Sequence, residues 1–366
     1  MTTAERARHL ARAAQQFPLL GETTPEMLMG LVEAELGEAG VLDDFVPRGP
    51  RCIRAIAPPT ILHIVSGNTP AAGLQSLIRG LLLGAHNLCK IPSGGLPELA
   101  QFQRVLPPAL AGKIEIAPEL PPDWLERAAA VIVYGSDATI AHFRAQTLPR
   151  QVFVGHGHRL SFGVIFDDPG HARIAAAVSD AVAFDQQGCL SPHVYYLGGE
   201  ARAAAAKFAV EMQRAEDRDP RGPVPLSTSN AIRARREEAG FRAANGEPLA
   251  MWTSTGSTAW TVIYDETPGF PVSPLSRFLY VKPLPVDFIP EVAAVRAHLS
   301  CAGIWPPTLE HARTLAATGV SRICPIGAMQ MPPWTWHPDG QPALANLVTW
   351  IDAEVLGGGA NVFSVK

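Results

Sequence analysis

Along this chain the spacing of apolar positions switches repeatedly between the two periods of regular structure. The run "TILHIVS" (60–66) is short and nearly all apolar, which predicts a strand. Residues 70–84 then place Leu74, Leu77, Ile78, Leu81 and Leu82 at the i, i+3, i+4, i+7, i+8 spacing of one buried helix face. "HNLCKIPS" (86–93) predicts a second strand, followed by a helix near 97–110. Strands at "KIEIA" (113–117), "AAVIVYG" (129–135) and "RQVFVG" (150–155) are separated by helices near 123–128 and 136–147. Alternation of this kind predicts a parallel sheet with right-handed crossovers, doubly wound in the manner of nucleotide-binding domains.

A second α/β set begins at "LSFGVIFDD" (160–168), with a helix over 169–184, a strand at 193–197 and a helix over 200–214. "EDRDPRGPVPLSTS" (216–229) has the composition of a surface loop, and "MWTSTGSTAWTVIYD" (251–265) that of a hairpin turning at Gly256. "RFLYVKPL" (277–284) and "SRICPIG" (321–327) predict further strands, helices fill 289–300 and 307–318, and residues 342–354 carry an amphipathic helix pattern.

Length and composition narrow the class. At 366 residues two domains are expected, and 47% apolar content supplies large cores. A net charge of −4 gives no reason to expect nucleic acid, and the dense basic run "RARREEAG" (233–240) is read as a solvated helix face. No apolar run reaches the roughly 18 residues of a membrane span. The polar start lacks a signal-peptide core, and the five cysteines (52, 89, 189, 301, 324) form no C-x-x-C. The expectation is a soluble cytoplasmic protein without a disulfide framework or a zinc site.

Four short stretches carry candidate chemistry. In "AVAFDQQGCLSPHVYYLGG" (181–199) Cys189 sits in a polar break with Gly188, where a thiol gains access and nearby N–H groups. A small buried residue is the alternative, and it is the reading taken for Cys52, Cys89, Cys301 and Cys324, which lie in or near apolar patterns. Asn68 in "HIVSGNTP" follows a strand end, where its amide could serve an oxyanion or simply cap the next helix. Lys90 in "CKIPSGG" could reach an adenosine ribose, and Gly135-Ser136 in "VYGSDATI" open a helix N-terminus suited to an anion, although capping explains the pair equally well. "GHGHRL" (155–160) fails as a dinucleotide fingerprint because Leu160 and a strand follow. His156 and His158 lack a third metal ligand, and His193 is poorly placed to serve Cys189 as a base. Tryptophans 305, 334, 336 and 350 could line an acyl tunnel, with ordinary core packing the commoner explanation.

Taken together, the strand–Asn–Pro–helix order, "CKIPS", "VYGS", "FDQQGCLSP", "SPLSRFLYVKP" (273–283) and "GVSRICPIGAMQMPPWTWHPDG…LVTWIDAE" (319–354) resemble the aldehyde dehydrogenase superfamily, and within it the LuxC-like fatty acyl-CoA reductases, over about residues 55–355. The resemblance implies an α/β fold with a cofactor domain over 1–155, opened by N-terminal helices, a catalytic domain over 156–335, and a segment 336–366 packing back across both. It implies Cys189 as the acylated nucleophile, Asn68 with the Cys189 N–H as oxyanion hole, Lys90 at the adenosine ribose and Gly135-Ser136 at the pyrophosphate. Ser93 stands where NAD-preferring relatives often carry a glutamate, so NADPH is the expected cofactor and NADH the alternative. Hydrolytic relatives carry a glutamate base in the segment matching 154–165, where this chain has no carboxylate, and that favours reduction over hydrolysis. The expected substrate is acyl-CoA or a protein-bound acyl thioester, with an acyl-transferring or acyl-activating partner protein and a homo-oligomer also implied. Reduction of an acyl phosphate, a non-redox cysteine acyltransferase and a catalytically silent binding subunit are the competing readings.

Overall fold

The computed structural model describes residues 1–67 and 70–354 and divides the chain into two compact units. The first comprises Met1–Gly157 and the described part of Pro333–Lys366, and the second His158–Pro332.

In the first unit a hairpin of β1 (Val46–Arg48) and β2 (Arg51–Ile56) precedes five strands: β3 (Thr60–Ile64), β4 (His86–Lys90), β5 (Ile114–Ala117), β6 (Ala130–Tyr134) and β7 (Val152–His156). These five form one parallel sheet in the order β5-β4-β3-β6-β7. The chain therefore builds outward from β3 on one side, then returns to add β6 and β7 on the other. Both faces are buried, which explains why these strands read as continuous apolar runs. Ile61, Ile132 and Val154 face a core shared with Leu74, Leu77 and Leu81 of the helix Pro70–Leu83. Leu62, Val131 and Val133 face the opposite core, with Phe143 of the helix Asp137–Gln146.

The second unit holds β8 (Leu160–Ile165), β9 (Pro192–Leu197), β10 (Leu249–Thr253), β11 (Thr261–Asp265), β12 (Phe278–Pro283), β13 (Leu299–Trp305) and β14 (Arg322–Pro325). Their order is β10-β11-β12-β9-β8-β13-β14, parallel except for the β10–β11 hairpin. The helices Gly170–Val182 and Ala201–Arg218 cover one face, and Leu226–Ala244 with Phe288–Val292 the other. Gly163 on β8 pairs directly with Tyr195 on β9, and a Cβ at Gly163 would overlap the Tyr195 ring. Tyr195 cannot swing aside, because it is fully buried and its hydroxyl donates to the Ala177 carbonyl at 2.8 Å. Gly163→Ala is therefore expected to lower stability by about 2–3 kcal/mol in urea unfolding.

Two expectations fail, and a third, the solvated basic run, holds except at Arg236. Residues 342–354 are not helical: Thr349–Ala353 is a strand antiparallel to β2, completing a three-stranded sheet. The N–H groups of Ala343, Leu344 and Ala345 are bound by the Glu35 carboxylate at 2.5–3.0 Å, and the chain continues into the strand. Thr349, Trp350 and Ile351 suit a pleated edge, and they pair with the open side of β2. The supposed loop 216–229 shrinks from both ends. Ala201–Arg218 runs further than expected, and Leu226–Ala244 begins directly after Pro225. In the basic run, Arg236 is no solvated side chain, since its guanidinium binds the Ser257 and Trp260 carbonyls and the Thr261 hydroxyl to brace the β10–β11 turn. Among the described residues no helix is long and apolar enough to cross a membrane.

Candidate active site

The candidate residues fall in both units. In the second, Cys189 lies in the turn between a short 3-10 segment (Ala183–Gln186) and β9, at the amino end of the sheet. Cys189 is exposed while its neighbours Gly188 and Leu190 are buried, so the backbone is held inside and the side chain is turned out. The remaining cysteines differ. Cys89, Cys301 and Cys324 are buried and Cys52 half-buried. Burial pushes the Cys89 thiol up to about 12, which makes it inert at neutral pH.

What holds the turn is a set of buried polar side chains that sequence reasoning missed. Ser161, fully buried at the start of β8, donates from Oγ to the Cys189 carbonyl at 2.8 Å and accepts from the Cys301 N–H at 3.2 Å. Gln186, also fully buried, accepts from the Phe278 N–H at 2.8 Å and donates to the Phe278 and Pro192 carbonyls at 2.9 and 2.8 Å. Its amide thereby continues the β9–β12 ladder beyond the strand ends. The geometry demands strained backbone: Phe184, Asp185 and Gln186 all have φ between +50° and +63°, as do the facing residues Leu275, Ser276 and Arg277 between +60° and +65°. Such conformations cost about 1–2 kcal/mol per non-glycine residue. They persist because the two segments lock together, with Arg277 Nε donating to Asp185 at 2.8 Å and Gln187 reaching the Ser276 hydroxyl at 3.2 Å. The double glutamine beside the cysteine was the available signal; nothing local marked Ser161.

A second brace comes from Asp180. Its carboxylate accepts from the Gly327 and Met329 N–H groups at 2.6 and 3.1 Å. Gln330 in turn donates to the Asp180 carbonyl at 2.9 Å and the Ser191 hydroxyl at 3.3 Å, two residues beyond Cys189. Burial raises the Asp180 carboxyl from 3.8 to about 6, against the lowering effect of those N–H bonds. The folded protein therefore keeps a proton that the unfolded chain releases between about pH 4 and 6. Stability attributable to Asp180 is greatest below that window and falls as pH rises through it, by on the order of 1–3 kcal/mol. In urea unfolding from pH 4 to 7, Asp180→Asn is expected to flatten this component relative to wild type.

His193, considered as a base, is buried, and its Nδ1 accepts from the Ser273 N–H at 3.0 Å. Burial lowers its pKa to about 4, so it is a neutral structural acceptor.

In the first unit, Lys90 ends β4 and Gly135-Ser136 follow β6, on either side of the β3 end. This is the point where strand order reverses, the crevice in which open α/β sheets bind ligands. Lys90 is half-buried and has no ion pair or side-chain hydrogen bond among the described residues. Ser136 caps the helix Asp137–Gln146 by accepting from the Thr139 N–H at 3.2 Å, which satisfies one of the four N–H groups that a helix start leaves open. Gly135 lets that helix start close to the strand, since a Cβ there would sit 3.0 Å from the Thr139 side chain. Ser93 is exposed in the loop after β4. Asn68 lies outside the described residues.

A family model described as acyl-CoA reductase (LuxC) matches residues 6–350. The long-chain acyl-protein thioester reductase of Aliivibrio fischeri is 24% identical over 320 residues, covering 82% of this chain and 65% of that protein. The long-chain acyl-protein thioester reductase 2 of Photobacterium leiognathi is 22% identical over 354 residues, covering 89% and 70%. The chain thus spans less than two thirds of the A. fischeri relative's length. Among solved structures, the putative aldehyde dehydrogenase PutA of Anabaena variabilis superposes with a TM-score of 0.65 at 13% identity, covering 99% of this chain and 94% of that one. Aldehyde dehydrogenase 21 of Physcomitrella patens gives 0.67 at 14% identity, covering 96% and 86%. These likenesses show an aldehyde-dehydrogenase-like α/β fold.

Proposed function

The chain belongs to the acyl-CoA reductase (LuxC) family, and from that premise we propose that it reduces an activated acyl thioester to an aldehyde through an acyl-enzyme on Cys189. The observation that carries this reading is the Cys189 turn. An exposed thiol is presented between buried neighbours on a backbone that six left-handed residues and a buried glutamine hold rigid. Strain maintained by surrounding bonds is characteristic of sites where geometry serves function.

In the proposed reaction the Cys189 sulfur attacks the thioester carbonyl, the new C–S bond forms and the donor thiol leaves. Asn68 and the Cys189 N–H are the proposed donors to the tetrahedral oxyanion, which such donors stabilise by about 3–4 kcal/mol in other enzymes. Lys90, with no partner among the described residues, and the capped helix start at Gly135-Ser136 fit a dinucleotide at the switch point of the first sheet. Bound there, a reduced nicotinamide supplies the hydride that turns acyl-cysteine into aldehyde. The segment 154–165, which covers the end of β7 and all of β8, contains no Asp or Glu to activate water against the thioester. The named relatives act on acyl-protein thioesters, so a protein-borne acyl group delivered by a transferring partner is proposed as donor alongside acyl-CoA.

The test is intact-protein mass after mixing with acyl-CoAs without coenzyme. An acyl adduct that NADPH discharges as aldehyde supports the proposal. An adduct only from acyl phosphates would move the assignment to that class of reductase. Cofactor choice has its own test. Ser93→Glu places a negative charge where a 2′-phosphate would lie, so kcat/KM with NADPH is expected to fall about tenfold or more while NADH is spared.

A further inference from the structure

The helix Pro70–Leu83 carries a buried cation that the proposed reaction does not use. Arg79 is 5% exposed, and its Nε and Nη2 are buried without a hydrogen-bond partner among the described residues. These two nitrogens share one edge of the guanidinium, the edge whose parallel N–H groups grip a carboxylate or phosphate at two oxygens. The ring of Trp334 lies 5.6 Å from its Cζ, over a face of the cation. Tyr134 and Glu35 act on it electrostatically, but no ion pair to it forms among the described residues, and both Glu35 oxygens are already bound to the N–H groups of residues 343–345. Burial lowers the Arg79 pKa, yet a guanidinium does not lose its proton in water-like pH ranges. A charge that stays on and lacks a counter-ion is costly to bury, and such charges in folded proteins are paired.

Arg79 lines a pocket whose interior offers about 20 Å³ to the centre of a water-sized group. Ile132, Val154 and Leu347 wall it, with Tyr134, His156 and exposed Gln341 around them. The His156 ring stacks on Tyr134 at 4.6 Å, and its Nδ1 is engaged with Asp339 at 2.8 Å. Ile132 and Val154 belong to the core under Pro70–Leu83, whereas the helix capped by Ser136 packs on the other face of the sheet. The pocket is therefore separate from the proposed coenzyme cradle.

We propose that this pocket is an oxyanion-binding site, in which Arg79 takes the carboxylate or phosphoryl head of a small ligand by a two-pronged bond. The apolar walls and the small interior fit one such group and exclude a whole coenzyme. The experiment is calorimetric titration and thermal unfolding of the full chain at constant ionic strength, with acetate, butyrate and inorganic phosphate as probes. Wild type, Arg79→Lys and Arg79→Met are compared. Saturable heat and a rise in Tm are expected for wild type with at least one probe; acetate or butyrate would identify a carboxylate site and phosphate a phosphoryl site. Arg79→Lys should bind at least about tenfold more weakly, because the two-pronged edge is gone. Arg79→Met should not respond and should melt higher than wild type in probe-free buffer. Equal responses from wild type and Arg79→Met, or no saturable response of wild type to any probe, would overturn the proposal. If Arg79→Met does not fold, the wild-type titration and Arg79→Lys decide the matter.

Discussion

Cys189→Ala is expected to give no acyl adduct and to reduce aldehyde formation by at least about 10⁴-fold, with the fold intact. The size of the effect follows from the chemistry, since covalent capture of the acyl group has no second route once the sulfur is gone. The exposed position of Cys189 predicts a small structural cost, and the bond from Ser161 to its carbonyl is kept in the alanine variant. Intact mass and turnover measure the chemistry, and urea unfolding measures the cost. In wild type, iodoacetamide should label Cys189 ahead of the buried Cys89, Cys301 and Cys324. An adduct that persists on Cys189→Ala would place the nucleophile elsewhere and end the proposed mechanism.

The second large effect is expected at Gln186. Gln186→Leu keeps the volume but takes the glutamine from the Phe278 N–H and the Pro192 carbonyl and leaves the Phe278 carbonyl to the Ser273 hydroxyl alone. Each orphaned buried group costs about 1–3 kcal/mol, so a loss of about 3–5 kcal/mol in urea unfolding is expected. The Cys189 turn loses its anchor as well, and acylation should slow by about 10²-fold even where the variant remains folded. Gln186→Glu keeps one acceptor for the Phe278 N–H and should recover part of the loss. If Gln186→Leu acylates at the wild-type rate, the glutamine shapes stability alone.

Much of the fold was open to reading in the amino-acid order. Leu74, Leu77, Ile78, Leu81 and Leu82 are all fully buried along Pro70–Leu83, as their spacing required. The apolar runs at 60–66, 86–93 and 129–135 became adjacent strands buried on both faces. The helix pattern at 342–354 misled because periodicity does not report a neighbouring open strand edge. That edge, on β2, lies almost 300 residues earlier, with Thr349 opposite Ile56. The candidate site was legible at the level of residue type: a cysteine beside glycine, a lysine at a strand end, a Gly-Ser helix start. Its support was not. Gln186 meets Phe278 across 92 positions and Ser161 meets Cys189 across 28, and no local pattern encodes such pairs.

The sequence by itself determined the elements and their alternation, because helix and strand periods arise from contacts within a few residues. It also determined which side chains are chemically capable of nucleophilic or anion-binding roles. Tertiary structure alone decided which of five cysteines is turned outward, which glutamine becomes an extension of a sheet, and that Arg79 is enclosed with its binding edge unmet. Exposure, strain and missing partners are properties of packing between distant segments, and they exist only once those segments have met.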